Sequence, residues 1–293
     1  MSKILLTGAT GFLGSYLLKS FIRNNHEIII LKRSISNINR IKSLDGNFVF
    51  YDIEKEDIDD IFRIEKPEII IHTACSYGKN KESISNIVKT NLIFSLEVFE
   101  ASITHEAKLF VNVDSLLPKR VSNYSFSKSQ FSDWLKINTY DINIVNLKIE
   151  QIYGPDTDEN KFFGWLFNNI MSNSSEKIDL TSGAQKRDFI YIDDVVDAFN
   201  CIIKNRNKIR GFKDLDLGTG NFVKVKDFVK AIALEVEEIY KIKVFNRLNF
   251  GAIPYRDGEI MKPILDNSII RSLGWNPRYT YKEGIKETLK NLI

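Results

Sequence analysis

The sequence predicts an α/β fold: a doubly wound parallel sheet, with a smaller α/β lobe interleaved along the chain. Three observations point there. Short β-branched runs without polar alternation alternate with longer helical patterns, glycines recur at three-residue spacing right after the first run, and the rhythm breaks after Tyr153-Gly154-Pro155. Strands that are apolar throughout and separated by helices form parallel sheets covered on both faces.

The elements follow in order. KILLTG is the first strand, then a helix over residues 12–24, the strand EIIIL, the strand FVFYD, a helix, and EIIIHTA. A helix near residues 83–102, the strand KLFVNVD, a helix over residues 124–138 and the strand INIVNLKI continue the series. Asn, Ser and Lys crowd residues 171–177, and a helix over Val225–Tyr240 leads into loops with Gly, Pro and Arg. RDFIYIDDVVDAFNCIIK reads as a strand and helix returning to the main sheet between the pieces of the second lobe. The expected division is therefore residues 1–154 and 186–221 for a dinucleotide-binding domain, and 155–185 and 222–293 for a substrate lobe. No internal repeat of 20–50 residues is visible.

Composition narrows the function. With 293 residues, 43% of them hydrophobic, the chain has enough apolar material for a sizeable core. A net charge of +3, with both signs interleaved, argues against a nucleic-acid partner. No secretion signal and no run of about 18 apolar residues is present, so the expected place is the cytoplasm, without a membrane partner. Two cysteines, Cys75 and Cys201, and three histidines are too few and scattered for a structural zinc or disulfide framework. Both cysteines are expected to be buried free thiols.

Gly8-Ala9-Thr10-Gly11-Phe12-Leu13-Gly14 opens the first helix. Glycines at such a turn let the backbone approach a pyrophosphate, whose charge the helix N-terminus stabilises. A tight turn with close helix packing would need the same glycines, but their place in the first βα unit points to a dinucleotide and a Rossmann-type sheet. Where a carboxylate at the end of the second strand would hold the ribose of NAD, this chain carries Lys32-Arg33, which suits the 2′-phosphate of NADP(H). A solvated basic pair is the alternative. Asp52, after the third strand, faces adenine or is an exposed turn residue.

Ser115 ends KLFVNVDS, and Tyr124-Ser125-Phe126-Ser127-Lys128 opens the next helix, with tyrosine and lysine four apart on one face. A nearby ammonium lowers a phenol's pKa, so Tyr124 is expected to exchange protons with a carbonyl or alcohol, and Ser115 to donate to the same oxygen. By itself YxxxK is a weak signal; its position after a strand ending in serine gives it weight.

TGATGFLG, IIHTA, Asn91, Ser115, YSFSK, IYGP, RDFIYIDDVVDA and LGW together resemble the extended short-chain dehydrogenase/reductase family, in its nucleotide-sugar epimerase/dehydratase branch, over essentially the whole chain. VNVDS, YGPDTDENKF, FGAIPYRDGEIM and LGWNPRYTYKEGI are most similar to reductases of 4-keto-3,6-dideoxyhexoses carried on CDP. The resemblance implies Tyr124 as general acid, Lys128 orienting the cofactor ribose, and Ser115 polarising the sugar C4 oxygen. It implies a cofactor surface of Gly8, Thr10, Gly11, Phe12, Leu13, Gly14, Lys32, Arg33, Asp52, Ile53, Thr73, Ala74, Cys75 and Asn91, with Tyr124 and Lys128. For the nucleotide-diphosphate sugar it implies Ser76, Ser115, Leu116, Asn160, Lys161 and Phe162, with Arg187 and Arg256 on the diphosphate. Both arginines lie next to aspartates, so structural ion pairing is the competing reading. Phe162, Phe163 and Trp165 line the base or sugar pocket, or are plain core. Relatives dimerise through the helices around residues 83–102 and 124–138, which implies a homodimer.

Reduction of a 4-keto sugar, C4 epimerisation and 4,6-dehydration share this machinery. The resemblance places an Asp-Glu pair after the catalytic hydroxyl residue in dehydratases; here Leu116-Leu117 stand there. Epimerases recycle a tightly held NAD, whereas a reductase exchanges its cofactor with the cell's NADPH pool. Lys32-Arg33 thus favours an NADPH-dependent 4-ketoreductase serving surface-polysaccharide deoxysugars, with an NAD-dependent 4-epimerase as the alternative. A non-catalytic NADP sensor is a third reading, against which Ser115, Tyr124 and Lys128 argue.

Overall fold

The computed structural model describes residues 1–79, 81–138, 142–172 and 174–290. Residue 173, within the polar stretch read as a loop of the second lobe, and residues 291–293, at the end of that lobe's expected span, lie outside them.

The chain opens with β1 (Lys3–Thr7), α1 (Phe12–Arg23), β2 (Glu27–Lys32), β3 (Phe48–Asp52), α2 (Ile58–Glu65) and β4 (Ile69–His72). Next come α3 (Ile84–Val88), a π-helical segment (Lys89–Ile93), α4 (Phe94–Thr104), β5 (Leu109–Ser115), α5 (Asn123–Ile137) and β6 (Asn143–Ile149). The rest comprises β7 (Gln151–Tyr153), α6 (Phe162–Met171), β8 (Ile178–Leu180), β9 (Lys186–Tyr191), α7 (Ile192–Lys204), β10 (Phe212–Leu217), β11 (Phe222–Lys224), α8 (Val225–Tyr240), β12 (Leu248–Phe250), α9 (Ser268–Ser272) and α10 (Tyr281–Lys290).

The main sheet has seven strands in the order β10-β6-β5-β4-β1-β2-β3. The pairs from β6 to β3 are parallel. The order reverses between β1 and β4, the place where doubly wound sheets hold their ligands. Its strands are apolar because helices cover both faces: Ile4, Leu5, Leu6, Ile28, Ile29, Ile30, Ile69, Ile70 and Ile71 are all fully buried.

One row of polar residues crosses four adjacent strands, ending β1 and β4 and interrupting β5 and β6 midway. Thr7, His72, Asn112 and Asn146 are register partners across β1, β4, β5 and β6, and each is completely buried. Buried polar side chains are tolerated only when hydrogen-bonded, and these are: Thr7 Oγ1 lies 3.0 Å from His72 Nδ1, and Asn112 Nδ2 donates to Asn146 Oδ1 at 2.7 Å.

Two compact units divide the chain: Met1–Ile149 with Ala198–Asp216, and Glu150–Asp197 with Leu217–Ile293. In the second unit β11, β9 and β7 form a three-stranded sheet and β12 pairs with β8. The strand of RDFIYIDDVVDAF therefore does not return to the main sheet, contrary to expectation; β9 runs parallel to β7 and antiparallel to β11. Phe228 from α8 stacks on Phe189 of β9 at a centroid distance of 3.6 Å, and that apolar packing draws the strand into the smaller sheet. Asp188 accepts from Thr219 N, Thr219 Oγ1 and Gly220 N, and Asp194 from Arg278 N and Tyr279 N, so these two of the motif's four aspartates anchor backbone. Cys75 and Cys201 form no disulfide, and both are half-buried where burial was expected.

Candidate active site

The glycine loop fits a dinucleotide on its own geometry. Gly8 sits at φ +70°, open to glycine at little cost, and any Cβ there would strike Thr73 and the Ala74 backbone. A Cβ on Gly14 would collide with the Gly8 carbonyl, so helix and loop touch at van der Waals distance. Helix α1 begins at Gly11 without a side-chain cap and without an acidic residue in its first turn, leaving its N-terminal field available to an anion. Thr10 and Leu13 are half-buried in this turn, while Phe12 packs into the core.

At the end of β2, Lys32 is half-buried opposite Asp52, and Arg33 is exposed. The Asp52 carboxylate accepts the Ser34 hydroxyl at 2.6 Å, and Ser34 N donates to Glu54 Oε2 at 3.0 Å. Ile53 N donates to the Lys32 carbonyl at 3.0 Å and its side chain packs on the core. Ser34 carries no charge signal in the sequence, and only its bond to Asp52 marks it.

The loop after β4 is held from two sides. Thr73 Oγ1 donates to the Thr7 carbonyl at 2.8 Å, and the N–H groups of Thr73 and Ala74 both reach Thr7 Oγ1 at 3.2 Å. From the other side the π-helical segment turns Asn91 inward to complete burial; such one-turn widenings recur at functional sites. Asn91 Oδ1 accepts from Ser76 N at 2.7 Å, while its Nδ2 donates to Ser76 O at 2.8 Å and to Ser127 Oγ at 3.0 Å. Asn91 thus ties the loop bearing Cys75, Ser76 and Tyr77 to the helix bearing Tyr124 and Lys128.

A capping box starts that helix: Ser122 Oγ accepts from Ser125 N, and Ser125 Oγ from Ser122 N. It fixes the first turn and with it Tyr124, whose ring packs on Tyr77 at a centroid distance of 4.8 Å. Burial, then the neighbouring Cys75 and Asp114, push the phenol well above its ordinary pKa. The direction is opposite to the expected one, because desolvation disfavours the phenolate. Lys128 is 1% exposed and donates to Asn112 Oδ1 at 3.2 Å; burial lowers its pKa, against the pull of Asp114 and Cys75. Ser115, at the end of β5, donates its N–H to Asp114 Oδ1 at 2.8 Å and accepts from Leu117 N at 3.1 Å on Oγ. Leu116 and Leu117 beside it are half-buried and bring no acid or base.

The second unit carries the remaining candidates. Arg187 of β9 forms an ion pair with Glu259, and Arg256 Nε reaches the other oxygen of the same carboxylate at 2.7 Å. Arg187 also donates to the carbonyls of Lys186 and Ile260, at 2.5 and 2.6 Å. One glutamate therefore gathers both arginines, and the aspartates beside them in sequence are not their partners. Asn160 is exposed, Lys161 stands at the N-cap of α6, and Phe162 is half-buried with its ring 6.3 Å from Trp165. Phe163 is core, packed between Tyr153 and Phe228. Among the described residues no cluster of three His, Cys, Asp or Glu side chains could hold a metal, and no helix is long and apolar enough to cross a membrane.

Known proteins share this fold. Residues 4–218 match the model of the NAD dependent epimerase/dehydratase family. A protein named CDP-abequose synthase from Salmonella muenchen is 34% identical over 300 residues, covering 98% of this chain and 97% of that one. UDP-glucose 4-epimerase from Thermotoga maritima, solved with UDP-glucose, superposes with a TM-score of 0.84 at 25% identity, covering 99% and 98% of the two chains. UDP-glucuronic acid 4-epimerase from Bacillus cereus, solved with UDP-glucuronic acid and NAD, shares the fold at a TM-score of 0.83 and 22% identity, over 99% and 100% of the chains.

Proposed function

The chain belongs to the NAD dependent epimerase/dehydratase family, and from that premise we propose that it is an NADPH-dependent 4-ketoreductase of a nucleotide-linked deoxysugar. One observation carries the reading: Ser115 ends β5, and Tyr124, its ring packed on Tyr77, stands one helical turn from buried Lys128 on α5. Proton donation to a forming alcohol requires the phenol, not the phenolate. The loop of Gly8, Gly11 and Gly14 would hold a nicotinamide dinucleotide, which in its reduced form would supply hydride to the sugar's C4 carbonyl carbon. Tyr124 gives its proton to the carbonyl oxygen, Ser115 Oγ donates a hydrogen bond to that oxygen as negative charge develops, and the Lys128 ammonium offsets the charge left on Tyr124.

Likeness to CDP-abequose synthase favours CDP and a 4-keto-3,6-dideoxy sugar, with a 4-keto-6-deoxy sugar on CDP, dTDP or GDP as the nearby alternatives. Exposed Arg33, with Lys32 and Ser34, favours NADPH, because a guanidinium fork matches a phosphate. Arg187 and Arg256 are the proposed diphosphate ligands. In the first unit, Ile84, Ile93, Trp134 and Ile137 are between 46% and 65% exposed on α3, the π segment and α5, an apolar surface that suits a homodimer.

Leu116 and Leu117 weigh against dehydration, which needs an acid and a base. Likeness to UDP-glucose 4-epimerase supports a second reading, NAD-dependent C4 epimerisation. Denaturing the purified protein and assaying the supernatant for nucleotides separates the two. A reductase releases little bound cofactor, whereas a near-stoichiometric yield of NAD would favour the epimerase.

A further inference from the structure

Lys128 is a buried ammonium whose hydrogen-bond partner is an amide oxygen, not a carboxylate. An ammonium taken out of water is costly unless something compensates it; Asp114 acts on it through space, and two amides join it by hydrogen bonds to Asp114 and Asp214. Asn112 presents its oxygen to Lys128 and its nitrogen to Asn146 Oδ1, at 3.2 and 2.7 Å. Asn146 Nδ2 in turn faces Asp114 Oδ2 at 3.0 Å, Asp214 Oδ1 at 2.8 Å and Ser132 Oγ at 3.1 Å, two hydrogens shared among three acceptors. Lys148 closes the far end on Asp214 Oδ2 at 2.6 Å. The two amide dipoles therefore point the same way, negative ends toward the ammonium and positive ends toward the carboxylates. In a low-dielectric interior, aligned hydrogen bonds polarise one another.

The strands make this possible. Asn112 and Asp114 are two apart on β5 and share a face, Asn146 is the register partner of Asn112, and Lys128 and Ser132 lie one helical turn apart on α5. Packing alone would place an aliphatic side chain at 112 and 146, as at the neighbouring buried positions Val111, Val145 and Leu147.

We propose that Asn112 and Asn146 are positioning residues that couple the Lys128 ammonium to the carboxylates of Asp114 and Asp214, holding it charged and aimed for the reaction. Groups bearing on Lys128 are Asp114 on β5, Cys75 in the loop after β4 and His72 on β4, with Tyr124 on its own helix. Asp114 opposes the desolvation of Lys128, and His72 stays neutral.

The kinetic part rests on the ketoreductase reading; the spectroscopic part does not. In protein labelled with lysine carrying ¹³C at Cε, the Lys128 resonance, assigned by its loss in Lys128→Met, is followed against pH. Asn112→Leu lowers the pH at which Lys128 titrates by at least about one unit, a tenfold shift in its proton affinity. In turnover the alkaline limb of the kcat profile moves down with it, while KM for the nucleotide sugar holds. If Asn112→Leu does not fold, Asp214→Asn, at the half-exposed end, replaces it and moves the titration the same way. A folded variant whose Lys128 titrates as in the wild type overturns the proposal. A shifted titration in a protein that reduces no keto sugar leaves the coupling standing and removes the assigned reaction.

Discussion

The Tyr77 ring lies against that of Tyr124, centroids 4.8 Å apart and planes 32° from parallel. Tyr77 sits in the loop pinned by Asn91, so the same hydrogen bonds that shape the loop also cover the phenol. Removing the Tyr124 hydroxyl with Tyr124→Phe keeps this stacking and the fold. It is expected to lower kcat by ~10²–10⁴, as for other removed proton donors, with NADPH binding by fluorescence unchanged. Tyr77→Ala exposes the phenol and brings its pKa down, read from the tyrosinate absorbance at alkaline pH.

Glu259 holds its two arginines at different depths. Its pair with Arg187 is enclosed, with side-chain exposures of 10% and 14%, whereas Arg256 is 59% exposed. Breaking an enclosed pair costs about 3–5 kcal/mol, so Glu259→Leu should unfold at clearly lower denaturant. Arg256→Ala should leave unfolding in place and raise KM for the nucleotide sugar by roughly tenfold, the effect of one lost charge-assisted contact.

Arg33 tests cofactor choice. Arg33→Ala is expected to raise KM for NADPH by about 10–100-fold and to leave that for NADH nearly unchanged, because only the 2′-phosphate loses a partner. Equal effects on both cofactors would assign Arg33 to the surface alone.

His72 makes stability depend on pH. It is buried between Thr7 and Ser95, and desolvation holds its pKa well below 6.5. Below about 6.5 the unfolded chain binds a proton that the folded one refuses, so this stability is present above that pH and lost as pH falls, at about 1.4 kcal/mol per unit. Denaturant titrations at pH 7.5, 6.5 and 5.5 should show the loss in the wild type and a shallower slope in His72→Gln.

The apolar surface on α5 predicts association. Trp134→Asp with Ile137→Glu should convert a dimer to a monomer by light scattering, at unchanged helical content.

Much of this was legible before any coordinates. The main sheet announces itself because a strand buried on both faces has to be apolar throughout, and α8 was bounded correctly at Val225–Tyr240. The fate of β9 was not legible: its pattern suits either sheet, and Phe228, nearly forty residues away, decides. Asn112 and Asn146 read as interruptions of good strands, since their partners are set by register. For the same reason Glu259, which gathers Arg187 and Arg256, stayed hidden behind the aspartates adjacent to them in sequence. The direction of the Tyr124 shift depends on how deeply it is buried, which the four-residue spacing to Lys128 does not report.

The most direct measurement is loss of 340 nm absorbance on mixing the protein with NADPH or NADH and 4-keto-6-deoxy or 4-keto-3,6-dideoxy sugars generated on CDP, dTDP and GDP. Ketoreduction predicts stoichiometric NADPH oxidation with a CDP-linked keto sugar and a slower reaction with NADH. Interconversion of a nucleotide sugar without net oxidation of either cofactor would contradict it.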